Sequence, residues 1–326
     1  MRLPIIIAAI VCSFVFARPA DAHSVKRKKN FSSKQTGLQI RVEGDGWGSA
    51  TQGEIESVLY SVADELLTHV PQKLSKPIVV THAADNPIAL YEKGRNGEYL
   101  VHLSASGHRW AQFAYQFAHE LCHIMSNYEE NVGADTAKYN QWLEEALCET
   151  ASLYTLRSMA TTWEVSASTP ERVRYAPSLR DYAQCLIDEG HRQLPPSTAL
   201  AAWLRENEEQ IRKDPYLREK NEVVANLLLP LFEQNPENWD TLRYLNLEPA
   251  DARNSLKQYL HNWYANAPGE HKIFIANILA ILGIADAMRT ELADSNINPP
   301  SPQTAAPALA NVHTGQAGRA PSQENR

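Results

Sequence analysis

The chain has 326 residues, of which 44% are hydrophobic and 21% charged, enough to bury a sizeable core in one large domain or two smaller ones and too apolar overall for a wholly disordered polypeptide. Its formal charge of −7 and pI near 5.9 give no general basis for nucleic-acid binding. Its apolar runs, at residues 5–16, 223–232 and 273–285, are too short to span a bilayer comfortably, so no membrane span is expected.

Residues 1–22 read as a secretory signal: Arg2 supplies the charged start, Ile5 to Phe16 the apolar stretch, and Ala20, Asp21, Ala22 an A-x-A cleavage site. The expected mature chain begins at His23 and is secreted or periplasmic. Residues 23–36 then form a basic flexible arm around Lys26, Arg27, Lys28 and Lys29, whose simplest role is a solvated surface. Export leaves Cys122, Cys148 and Cys185, an odd number, so at least one thiol is free unless it pairs between chains. A Cys122–Cys148 bridge and two buried unpaired thiols are both compatible with the spacing, and the lack of a C-x-x-C pair argues against a cysteine zinc site.

Leu38, Ile40 and Val42 alternate with polar residues as a strand does, and residues 43–48 form a glycine-rich turn. Ile55, Val58, Leu59, Val62, Leu66 and Leu67 mark the apolar face of a helix that Thr51 can cap. Residues 76–83 read as a buried strand, and residues 88–91 and 98–104 as a hairpin. Between residues 108 and 127, Trp110, Phe113, Ala114, Phe117, Ala118, Leu121, Ile124 and Met125 follow helical spacing and form one stripe. Gln112, Gln116, His119 and His123 occupy the other face. His119, Glu120, Leu121, Cys122 and His123 spell H-E-x-x-H, in which two imidazoles one turn apart can meet one Zn²⁺ while Glu120 sits beside a bound water.

A second helix starts near Trp142 and continues to about Met159, with Glu145 and Glu149 on a shared face. Its opening, W-L-E-E-A-L-C-E, resembles the segment of gluzincin metallopeptidases, thermolysin and the zinc aminopeptidases among them, that supplies a glutamate ligand. The resemblance covers roughly residues 94–159. It implies that Glu145 is the third ligand of a single Zn²⁺ with His119 and His123, that Glu120 is the general base, and that Glu149 orients a ligating histidine. Glu144 is the weaker ligand candidate. The resemblance also implies a strand beside the H-E-x-x-H helix along which an extended peptide lies, in the position of residues 98–104. It implies, too, an oxyanion-stabilising histidine or tyrosine, for which Tyr154, His191, Tyr216, His261, Tyr264 and His271 are candidates. The metzincin third histidine and the aminopeptidase G-x-M-E-N motif are absent.

Residues 166–178 read as a linker or surface loop, and helices are expected over 179–189, 198–212, 216–233, 239–246, 250–265 and 271–288. Residues 294–326, rich in Pro, Ala, Ser, Gln and Asn, read as a disordered tail. The expected fold class is therefore α+β: a small N-terminal mixed sheet and zincin-like helices over 37–165, then a mostly helical domain over 166–293. The expected function is exported zinc-dependent hydrolysis of a peptide or protein substrate. Two rivals are a nonenzymatic exported helical protein that binds a peptide or protein, and a zinc hydrolase acting on a nonpeptide amide. The sequence leaves the oligomeric state open.

Overall fold

The computed structural model of the chain describes residues 37–71, 74–131, 138–166 and 169–284. The signal segment, basic arm and tail expected from the sequence, and the end of the helix expected over 271–288, lie outside them. The described residues belong to one compact unit, and its architecture is α+β. A four-stranded mixed sheet comes first, and the remainder is mostly helical.

Strand β1, Ile40–Glu43, alternates buried and exposed residues, as a strand with one covered face must. Helix α1, Gln52–Leu67, begins at a capping box: Glu54 N–H reaches the Thr51 hydroxyl at 3.3 Å, and Thr51 N–H reaches the Glu54 carboxylate at 2.9 Å. Its apolar face returns the chain to the sheet, where β2, Ile78–His82, pairs parallel with β1. Strand β3, Ile88–Lys93, turns through Gly94 and Gly97 into β4, Tyr99–Leu103. Gly97 has φ 81°, a conformation that glycine adopts without steric penalty. The strand order is β1-β2-β4-β3, with β4 parallel to β2 and β3 antiparallel at the edge. The hairpin is as expected, but the edge strand is β3 rather than residues 98–104. A β4 already paired on both sides has no free backbone edge.

Two helices organise the rest. Helix α2, Trp110–Met125, packs on β3 and β4, on α1 and on helix α3, Gln141–Ser166. Apolar side chains cover nearly every face of α3 and bury it, so it is the central pillar rather than an amphipathic surface helix. Helix α4, Pro170–Ile187, and helix α6, Arg218–Gln234, pack directly against α3. Helices α5, Leu200–Lys213, α7, Leu256–Asn266, and α8, Gly269–Ile281, complete the described fold.

The linker expected over 166–178 is corrected: α4 already starts at Pro170, because Thr169 caps it and proline suits the first helical position. Two expected helices are also shorter or tighter than their patterns implied. Of the helix expected over 239–246, residues 239–244 fall in a 3₁₀ turn, Pro236–Tyr244, and the 250–265 pattern is split by Ser255, which caps α7 after another 3₁₀ turn, Pro249–Arg253. No helix among the described residues is long and apolar enough to cross a membrane.

Candidate metal centre

The H-E-x-x-H pentapeptide sits in the last two turns of α2, and the start of α2 is fixed locally. Gly107, at φ 63°, donates its N–H to the Trp47 carbonyl at 2.8 Å. Gln116 Oε1 accepts from the N–H groups of Ser104 and Ala105 at 3.1 and 3.0 Å, tying the loop after β4 to the helix. Across from α2, the first turns of α3 bring Glu144, Glu145 and Glu149 to the histidines.

Each histidine has an inner and an outer nitrogen. His119 Nε2 lies 3.2 Å from Glu145 Oε2, and His123 Nε2 lies 3.6 Å from Glu145 Oε1. Tetrahedral zinc with bonds of about 2.0–2.1 Å places its ligand atoms about 3.3–3.5 Å apart. The two separations, one to each oxygen of Glu145, are close to that spacing, and imidazole nitrogens and a carboxylate oxygen are the donor types that zinc takes. On the outer side, His123 Nδ1 hydrogen-bonds Glu144 Oε1 at 2.7 Å, and His119 Nδ1 faces Glu149 Oε2 at 4.0 Å. Glu144 thus stands behind a histidine rather than beside Glu145. Neighbouring charges decide the ionisation of the group. Desolvation pushes Glu145 up, but the charge of His123 and the hydrogen bonds from both histidines outweigh it and hold the carboxyl far below its usual range. Desolvation also opposes a charged His123, yet Glu145 and Glu144 raise it well above the ordinary imidazole value.

Glu120 is buried, and its Oε2 accepts the Ala89 N–H of edge strand β3 at 2.7 Å. Desolvation raises its pKa against the opposing charges of His119 and His123. A carboxylate with one oxygen fixed by the sheet has a defined orientation.

Around this core, Tyr128 donates its hydroxyl to the Leu90 carbonyl at 2.5 Å and stacks on Tyr91 at 5.5 Å, and Lys138 reaches the Tyr91 hydroxyl. Tyr216, just before α6, senses the site: desolvation first and the charge of Glu145 next push its phenol up to about 12. The other oxyanion candidates with described contacts are engaged elsewhere. Tyr154 packs on Trp239, His191 pairs with Glu222 at 2.6 Å, His271 pairs with Asp240 at 3.0 Å, and Tyr264 packs under Lys272.

Glu149 lies in a buried ionic cluster that its sequence position did not reveal. Arg192 Nη1 donates to Glu149 Oε1 and Nη2 to Glu222 Oε1, both at 2.7 Å, while Tyr115 donates its hydroxyl to Glu149 Oε2 and accepts from Arg218 Nη2 at 2.6 Å. Desolvation raises the Glu149 carboxyl, but Arg192 and then Arg218 overcome it and keep it ionised. Glu189, His191 and Glu222 have metal-ligating atoms close together, but Arg192 and Arg218 already neutralise those carboxylates. The buried Cys148 sulfur lies within 4.8 Å of a nitrogen of each site histidine. Burial and its contact with Cys122 raise that thiol well above its usual value, and its position makes Cys148 a further candidate donor beside Glu145. Both thiols are free, and no bridge joins them.

Comparison of the chain with protein-family models, curated proteins and solved structures gives no match.

Proposed function

We propose that the chain is an exported zinc-dependent peptidase of the gluzincin type, with one Zn²⁺ held by His119, His123 and Glu145. The observation that carries this reading is the convergence of His119 Nε2 and His123 Nε2 on Glu145 while their outer nitrogens face Glu149 and Glu144. When bound, the ion supplies Lewis acidity that lowers the pKa of water toward about 7 and polarises a carbonyl. Glu120, its Oε2 tied to Ala89, accepts the water proton at Oε1 and delivers it to the leaving amine. The electrostatic coupling of Tyr216 to Glu145 supports it as the donor toward the oxygen that gains negative charge. Strand β3 lies at the sheet edge beside Glu120, and an extended peptide or protein segment laid along it has its scissile bond at the base.

The test joins metal content by mass spectrometry to cleavage of a peptide library by the exported chain. The expected result is one zinc per chain and chelator-sensitive hydrolysis. Glu120→Gln retains zinc and loses turnover by about 10²–10⁴-fold, whereas Glu145→Ala loses both together. Stoichiometric zinc with cleavage of amides but of no peptide would redirect the reading to a nonpeptide amide. The absence of both zinc and hydrolysis would reject it in favour of a binding protein.

A further inference from the structure

Asn246 is 2% exposed and sits at φ 52°, between the 3₁₀ turns Pro236–Tyr244 and Pro249–Arg253. Both polar atoms of its side-chain amide are hydrogen-bonded. Nδ2 donates to Glu144 Oε2 at 3.0 Å and to the Ser126 carbonyl at 2.9 Å, and Oδ1 accepts from the Tyr259 hydroxyl at 2.9 Å. One side chain therefore gathers the residue that caps the end of α2, a carboxylate on α3 and a hydroxyl on α7. Few residues meet that demand. Aspartate lacks the two donors, and β-branched residues resist a left-handed backbone, which asparagine tolerates.

We infer that Asn246 is a positioning residue of the metal centre, acting through Glu144 on His123. The inference rests on the reading of His119, His123 and Glu145 as metal ligands. Glu144 Oε1 holds His123 Nδ1 at 2.7 Å, and Asn246 occupies the other oxygen of the same carboxylate. A carboxylate held at both oxygens has one orientation, so the plane of the His123 ring and the direction of its Nε2 are set from the helical half. Without the amide, Glu144 can rotate, and His123 then presents its lone pair toward Glu145 in only part of its conformations. Tyr259 is the next link, because its hydroxyl fixes which way round the Asn246 amide lies.

The experiment measures zinc dissociation constants on the full chain by competition with a chromogenic chelator, beside the melting temperature of each metal-free protein. Asn246→Asp is expected to weaken zinc binding by about 10–100-fold at temperatures well below its melt. In the double variant Glu144→Gln/Asn246→Asp the amide and carboxylate exchange places, and part of that loss returns because an amide again faces a carboxylate. A purely structural role would lower the metal-free melting temperature, leave the dissociation constant of the folded protein within about twofold of wild type, and overturn the inference. A double variant worse than Asn246→Asp alone would overturn the route through Glu144. If Asn246→Asp does not fold, Tyr259→Phe is read by the same criterion: weaker zinc supports the relay, and an unchanged constant rejects it. Wild-type protein that takes no zinc would remove the metal reading itself, whereas zinc-binding wild type with an unaffected variant removes only the role of Asn246.

Discussion

Two adjacent glutamates on one helix turn take opposite duties. Glu145 faces the inner nitrogens of both histidines, while Glu144, a hundred degrees further round the helix, reaches the outer nitrogen of His123. Neighbouring carboxylates are tolerated here because each meets a different imidazole edge. Tyr216 is the proposed oxyanion donor, and desolvation with the charge of Glu145 pushes its phenol up to about 12. Tyr216→Phe is expected to lower kcat by about 10²–10³-fold with zinc stoichiometry unchanged, read from steady-state kinetics beside metal analysis. An unchanged kcat would remove Tyr216 from the chemistry. The histidine pair was legible in the sequence because its spacing is set within one helix, and Glu145 through the resemblance carried by W-L-E-E-A-L-C-E. Arg192, Arg218 and Asn246 were not, because they come from segments far along the chain and carry no spacing relative to the residues they hold.

At the scale of elements, periodicity located the strands, α1 and α2, and failed where local hydrogen bonding overrides it. Ser255 caps α7 and breaks a helical pattern that apolar spacing alone carries through residues 250–265, and Thr169 with Pro170 starts a helix inside a stretch whose prolines read as a loop. The edge position of β3 was hidden for another reason. Strand order is a property of pairing between segments, and both strands of the hairpin carry similar apolar residues. The packing of α1 on α3 has a pH signature. Glu65 accepts the Ser158 hydroxyl at 2.5 Å, and desolvation raises its carboxyl above the usual value of 4.5. A group raised in the fold contributes stability below its unfolded pKa and loses that contribution as pH rises through the folded value. Glu65→Gln should therefore melt higher than wild type at about pH 7 and match it at about pH 4, where both side chains are neutral. Equal melts at both pH values would show that Glu65 is solvated.

For the whole molecule, the division of labour runs along the chain. Residues 37–166 supply the sheet, the proposed base, both histidines and the proposed third ligand, and later segments supply the groups that lock them: Arg192 and Arg218 behind Glu149, and Asn246 behind Glu144. Their closeness in sequence has a kinetic meaning. The proposed ligands lie on consecutive α-helices, so their encounter closes a short loop, whereas the locking contacts must wait for segments up to 120 residues later. A chain emerging from its N-terminus can thus assemble a loose ion-binding hairpin of α2 and α3 first and tighten it afterwards. Zinc present from the start of refolding should raise the folding rate followed by tryptophan fluorescence, whereas an ion that only slowed unfolding would mean that the helix pair closes after the rate-limiting step. In that order of events the proposed metal would act as a template for the arrival of the helical half as well as a reagent.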